Sequence, residues 1–226
     1  GDVLIQVEAD VDSEYDYELL GYITPKKMGQ AYHCPVFNGL SKQTTSEQLM
    51  DLGTQLNIHG IVPMFHVVGV TPEAADVHTA FLGRKDPPVV TITNEDLAQA
   101  RAEISAGTGK ADFCILGCPH LTINQVGSIA KMLDGQQLAG QLYIFTSTST
   151  KELAQRMGYL DIIHKAGGEI VINSCVDQPC WSHPYGMSGV TESPKCAYYT
   201  KRWNMTFTVK SIPACIQSVL KGEIVS

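Results

Sequence analysis

Two cysteines stand where an α/β protein does chemistry. Phe113-Cys114-Ile115-Leu116 runs straight into Gly117-Cys118-Pro119-His120, and Glu169-Ile170-Val171-Ile172 runs into Asn173-Ser174-Cys175. In open parallel sheets, ligands collect just beyond the carboxyl ends of the strands. Cys118 also lies close to a helix-opening sequence, Thr122-x-x-Gln125, so the helix dipole and free N–H groups are expected to lower its thiol pKa. A thiolate is what a nucleophile or a metal ligand needs. The ordinary alternative is that both are small buried apolar side chains, as most free cysteines are. Two of them at equivalent places, one flanked by Pro119 and His120, favour a site. A thiol enzyme pairing Cys118 with His120 is disfavoured. Residues two apart around a proline rarely point at one another, and no group is visible to orient the imidazole.

Other polar residues gather at strand ends. His66, followed by the Thr71-Pro72-Glu73 turn, could face a pocket. The stretch 188–195 carries hydroxyls and one cation, and Ser193 with Lys195 is the best pair for holding a substrate carboxylate or developing negative charge. Cys114 and Cys215 fall inside a strand and a helix and belong to the core. Cys34, Cys180 and Cys196 fall in loops, and Cys175-x4-Cys180 is no standard zinc or redox spacing.

The elements that must position these residues alternate in type. Strands are expected over 3–9, 60–68, 89–92, 112–116, 141–145 and 169–172. Helices are expected over 15–22, from Thr45-x-x-Gln48 to about 57, from Thr93/Asn94 to about 104, and from Thr122 to about 133. Three more follow: one capped by Ser149-x-x-Glu152, one over 160–166 ending at Gly167-Gly168, and one over 213–221. The region 174–200 reads as mostly loop. Strands separated by helical segments mean βαβ units, so the expected fold is α/β, a mainly parallel sheet with flanking helices in Rossmann-like αβα layers. The whole of 1–226 is expected to form one domain, with a possible sub-boundary near 58–60.

Composition narrows the partners. The 226 residues are 44% hydrophobic and 17% charged, enough for a substantial core. Sixteen Lys+Arg against 23 Asp+Glu give a net charge of −7. That balance argues against nucleic acid or an anionic membrane, both of which need clustered positive charge. No run approaches the roughly 18 apolar residues of a membrane span. Seven cysteines, an odd number in an ordinary core-forming sequence, point to reduced thiols in a cytoplasmic setting rather than to a disulfide scaffold. The chain opens at Gly1-Asp2 without Met, the pattern of a fragment or processed chain.

Four stretches together resemble the aconitase X family: FHVVGVTPEA at 65–74, FCILGCPHLTIN at 113–124, AGGEIVINSC at 166–175 and SPKCAYY at 193–199. Leu20-Gly21-Tyr22 and the run 35–40 also fit. The resemblance covers the chain end to end and corresponds to the C-terminal half of the family's large catalytic subunit or domain. It implies an aconitase-like fold and a hydro-lyase whose iron–sulfur cluster is held by three cysteines. Cys118 and Cys175 match two ligand positions, and the third would lie in the N-terminal half, outside this chain. A three-cysteine cluster leaves one iron open to act as a Lewis acid on a substrate hydroxyl. Ser193, Lys195 and His120 are the candidate catalytic residues beside it.

Family members dehydrate cis-3-hydroxy-L-proline or 5-phosphomevalonate, with a small swivelling subunit or fused domain completing the site. Two departures are visible. Asn173-Ser174-Cys175 stands where the family commonly has Asp-Thr-Cys, and Glu192-Ser193 where it has Asn-Ser. The substrate therefore stays open between small hydroxy acids. A non-catalytic half-unit that binds a partner but completes no site is the competing reading.

Overall fold

The computed structural model describes residues 1–29, 31–105, 109–178 and 184–225. Cys180 lies outside the described residues. The chain divides into two compact units, Gly1–Ala102 and Glu103–Ser226. The break is thus not near 58–60. There, the Asn57 side chain accepts from Val62 N (3.1 Å) and donates to Val62 O (3.2 Å), which ties the segment to the helix before it. The strand that follows joins the same sheet as the strands preceding it.

The first unit holds β1 (Val3–Val7), β2 (Pro35–Asn38), β3 (His66–Val67) and β4 (Val89–Ile92) in the order β3-β2-β1-β4, all parallel. Its helices are α1 (Glu14–Met28), α2 (Ser46–Gln55), the short α3 (Val77–Ala80), and α4 (Asn94–Ile104), which carries the chain across the boundary. The strand expected over 60–68 shrinks to two residues. Pro63 has no N–H to donate, and Asn57 has already taken both backbone groups of Val62. Conversely, α1 runs six residues beyond its expected end, because Thr24 and Pro25 sit within its buried face. Gly21 lets α1 and α2 approach closely: a Cβ there would lie 2.6 Å from the Leu52 carbonyl oxygen.

The second unit holds β5 (Phe113–Leu116), β6 (Gln141–Thr146), β7 (Gly168–Ile172), β8 (Ser188–Thr191) and β9 (Thr206–Val209). Their order is β7-β6-β5-β8-β9, again all parallel. Successive side chains of a strand point to opposite faces, so β5 divides its apolar residues between two cores. Cys114 and Leu116 pack with α5 (Ile123–Leu133), α6 (Thr148–Arg156), α7 (Tyr159–Ala166) and α9 (Ile212–Lys221). Phe113 and Ile115 pack with Phe145, Val176, Cys196, Met205 and Phe207 on the other face. That face carries α8 (Pro194–Tyr199) and a 3-10 turn, Thr200–Trp203. The expected capping boxes at Thr45/Gln48 and Thr122/Gln125 are both present. The cap of α6 is Ser147, not Ser149.

The region expected to be loop from 174 to 200 contains β8 and α8. β8 is Ser-Gly-Val-Thr, and Gly189 is in it because a Cβ would run into the Phe113 carbonyl oxygen and lie 2.7 Å from its ring. Among the described residues no helix is long and apolar enough to cross a membrane.

Candidate active site

The strand order of the second sheet reverses at β5. The chain steps from β5 through β6 to β7 in one direction, then returns to place β8 and β9 on the other side. At such a switch point the connections at the carboxyl ends diverge and leave a crevice between the two central strands. The residues leaving β5 are Gly117 and Cys118, and those leaving β8 are Glu192, Ser193 and, one turn later, Lys195.

Gly117 has φ +113°, a conformation that L side chains rarely adopt, and a Cβ there would be driven into the Phe145 carbonyl oxygen of β6. The backbone then turns through the cis Cys118–Pro119 peptide bond, and Leu121 N donates to the same Phe145 oxygen at 3.0 Å.

Glu192 joins the two sides. It is buried, and its Oε1 accepts from Gly117 N (2.6 Å) and Cys118 N (3.1 Å), while Thr191 Oγ1 donates to Oε2 at 3.2 Å. Burial raises the Glu192 pKa above the usual carboxylate range, and the N–H groups of Gly117 and Cys118 oppose it. This residue was not singled out as a site residue, and no local pattern could have revealed it. Glu192→Ala should leave two buried N–H groups without acceptors and cost about 3 kcal/mol, a fall in Tm of roughly 6–12 °C. Glu192→Gln keeps an amide oxygen in place and should cost less than about 1.5 kcal/mol, read by thermal or urea denaturation.

The Cys118 thiol points inward, against the cluster formed by Phe113, Phe145 and Cys196. Burial pushes its pKa up to about 12, helped by the Glu192 and Cys175 charges and opposed by the Ser193 hydroxyl and the Lys195 ammonium. The lowered pKa expected from a helix N-terminus is therefore not found. α5 begins at Ile123, five residues further on, and desolvation of the sulfur dominates.

Ser193 is fully buried, and its Oγ caps α8 by accepting from Cys196 N at 3.2 Å. In this arrangement it orients the Cys118 thiol and the start of α8. Lys195 is half-buried on α8, close enough for its charge to act on Cys118.

Cys175 stands at the end of β7, on the same carboxyl edge, and is exposed. Two contacts bring its approach into line. Asn173, at φ +51°, exchanges hydrogen bonds with Thr148 (2.6 and 3.2 Å). His120 Nε2 lies 2.7 Å from the Ser174 carbonyl oxygen, which makes it the donor tautomer at that nitrogen. His120 thus links the β5 exit to the β7 exit.

The remaining expectations fall elsewhere. His66 and the Thr71-Pro72-Glu73 turn are in the first unit, where the Thr71 hydroxyl closes its own turn by bonding Val67 N (3.0 Å) and Val67 O (3.2 Å). Cys114 and Cys215 are buried in the core, and the Cys215 thiol donates to the Lys210 carbonyl oxygen at 3.4 Å. Cys196, expected in a loop, is buried on α8.

Comparison with known proteins decides the family. Residues 1–102 match the aconitase X second domain, and residues 111–221 match the aconitase X third domain. The chain belongs to the aconitase X family. The two matched domains coincide with the two compact units. The phosphomevalonate dehydratase large subunit of Methanothermobacter thermautotrophicus is 34% identical over 196 residues, 86% of this chain and 47% of that one. The cis-3-hydroxy-L-proline dehydratase of Pseudomonas aeruginosa is 32% identical over 207 residues, 87% of this chain and 35% of that one. The crystal structure of Thermococcus kodakaraensis aconitase X in its holo-form superposes with a TM-score of 0.81 at 28% identity, covering 96% of this chain and 54% of that one. This aconitase X chain therefore spans about half the length of such relatives, or less.

Proposed function

We propose that this chain supplies two cluster ligands and the substrate-binding cation of an iron–sulfur-dependent hydro-lyase acting on a small hydroxy acid. The observation that carries the reading is that Cys118 and Cys175 follow strands of one parallel sheet at its carboxyl edge, with Lys195 on the helix that follows β8, around the switch point. The donor set fits such a cluster in kind, because soft thiolates are its usual ligands. Among the described residues no group of three His, Cys, Asp or Glu is gathered to hold a metal ion; in this reading, which follows the family resemblance, the third thiolate lies in the part of the catalytic unit outside this chain. When bound, the cluster supplies a Lewis-acidic iron that makes a substrate hydroxyl a better leaving group.

The chain's own residues do the positioning. Glu192 fixes the Cys118 backbone, Ser193 orients its thiol, and His120 holds the carbonyl next to Cys175. Lys195 is placed to pair with a substrate carboxylate and to offset the negative charge that develops when a proton leaves the adjacent carbon. The remaining part of the catalytic unit and a small swivelling subunit or domain complete the site. Six free thiols among the described residues suit the reducing cytoplasm.

Two substrates follow from the relatives' names, cis-3-hydroxy-L-proline first and 5-phosphomevalonate second. The test is anaerobic reconstitution of the complete enzyme, with iron and sulfide analysis, visible absorbance, and water loss assayed on both compounds. Stoichiometric iron and sulfide with turnover of either compound is expected. A complete assembly that binds neither iron nor sulfide would leave a non-catalytic half-unit as the reading. In the reconstituted enzyme Lys195→Ala should lower kcat/KM at least about tenfold, ~1.4 kcal/mol, with the absorbance unchanged. Full activity in that variant would return Lys195 to an ordinary side chain.

A further inference from the structure

Cys175 is exposed, yet the turn that carries it is held on every side. Gln178 N donates to Cys175 O at 2.9 Å, closing a turn over residues 175–178. Val176, next in the chain, is buried among Phe113, Ile115, Phe145, Cys196, Met205 and Phe207. The residue after it, Asp177, receives three contacts from the 3-10 turn that follows α8. Arg202 donates to the Asp177 carbonyl oxygen at 2.8 Å and pairs with its Oδ2 at 2.7 Å, and the Trp203 indole N–H donates to Oδ1 at 3.0 Å. Arg202 lies over the Trp203 ring, 5.2 Å from its centroid, and Trp203 packs against the same apolar cluster as Val176.

An exposed ion pair alone contributes little. Here the pair is one of three bonds to a single residue, and their shared effect is geometric. The 3-10 turn continues directly from α8, which begins at Pro194 and carries Lys195 and Cys196. We propose that Asp177 is a positioning residue: through Arg202 and Trp203 it locks the Cys175 turn to the element carrying Lys195 and so fixes the separation of Cys175 from Cys118. The inference rests on reading Cys175 as a cluster ligand, and it adds a lock that sets the spacing between ligands.

The test uses this chain free of iron and reads amide hydrogen exchange by mass spectrometry. In the wild-type chain the Gln178 amide, bonded to the Cys175 carbonyl oxygen, should exchange slowly. In Asp177→Ala the 175–178 turn should exchange at least about fivefold faster, while β5 and β6 keep their wild-type rates. Asp177→Asn, which keeps one acceptor, should recover part of the protection. Trp203→Phe, which removes only the indole N–H donor and keeps an aromatic ring, should speed exchange in the same direction if Asp177→Ala fails to fold.

Unchanged exchange of that turn in both Asp177→Ala and Trp203→Phe, or no protection of it in the wild type, overturns the lock. Iron and sulfide analysis of the complete enzyme separates this outcome from the parent reading. Protection that the variants lose, without cluster uptake, removes the hydro-lyase and leaves the lock. Cluster uptake with unaltered exchange in both variants removes the lock and leaves the hydro-lyase.

Discussion

Cys118→Ala should abolish cluster binding in the reconstituted enzyme and reduce turnover by about a thousandfold or more, since the Lewis-acid contribution it removes is worth several kcal/mol. The fold should survive. The Cys118 backbone N–H remains bonded to Glu192, and alanine, which removes only the sulfur, fits where the thiol did. A melting curve within a few degrees of wild type, together with lost visible absorbance and lost iron, is the expected pair of results. Retained stoichiometric iron in this variant would remove Cys118 from the ligand set. The contrast with Lys195→Ala makes both results informative. One variant loses metal and turnover together, and the other loses turnover at constant metal content.

Gly117→Ala should act one residue earlier and damage both. Its φ of +113° lies where an L side chain is strained, and the new methyl would meet the Phe145 carbonyl oxygen, a backbone atom that cannot rotate away. Backbone strain and overpacking each contribute about 1–3 kcal/mol, so a destabilisation on the order of 4 kcal/mol is expected. That is a large share of a typical domain's stability. Urea denaturation should show the loss. A Gly117→Ala chain as stable as wild type would mean that β5 and β6 can move apart at their carboxyl ends. Gly39 stands at the matching place in the first unit, at φ +110°, with a Cβ directed into the Val7 carbonyl oxygen of β1. Both units thus use a glycine after a strand to bring the exit close against the neighbouring strand.

Much of the architecture was legible because its signals are local. The boxes Thr45/Gln48 and Thr122/Gln125 announce helix starts through side chains three residues apart, and Gly167 ends α7 in the left-handed conformation its position demands. Cys118 and Cys175 could be singled out because each comes shortly after an apolar run, Phe113-Cys114-Ile115-Leu116 and Ile170-Val171-Ile172. What escaped depends on partners far along the chain. β8 has one large apolar residue, Val190, and a glycine chosen by the bulk of Phe113 in the adjacent strand, so nothing within it spells a strand. With β8 unseen, Glu192 had no visible partner, although its carboxylate bonds backbone groups 74 and 75 residues away. The Asp177 contacts share that origin, spanning 25 and 26 residues. The thiol pKa of Cys118 was misjudged for a related reason: helix proximity can be read from sequence, whereas the burial that outweighs it comes from Phe113, Phe145 and Cys196 folding over the sulfur.

The reversal of strand order at β5 also has a consequence for synthesis. A chain emerging from the ribosome completes β5, β6 and β7 with their connecting helices well before Ser188 is made. During that interval β5 is an edge strand whose four residues, Phe113-Cys114-Ile115-Leu116, are all apolar and all destined to be buried. Such an edge is a template for pairing with another chain. Translation arrested before β8 would therefore yield a product that carries both Cys118 and Cys175 but exposes an adhesive edge. Demand for chaperones should be concentrated in the time needed to add residues 173–191.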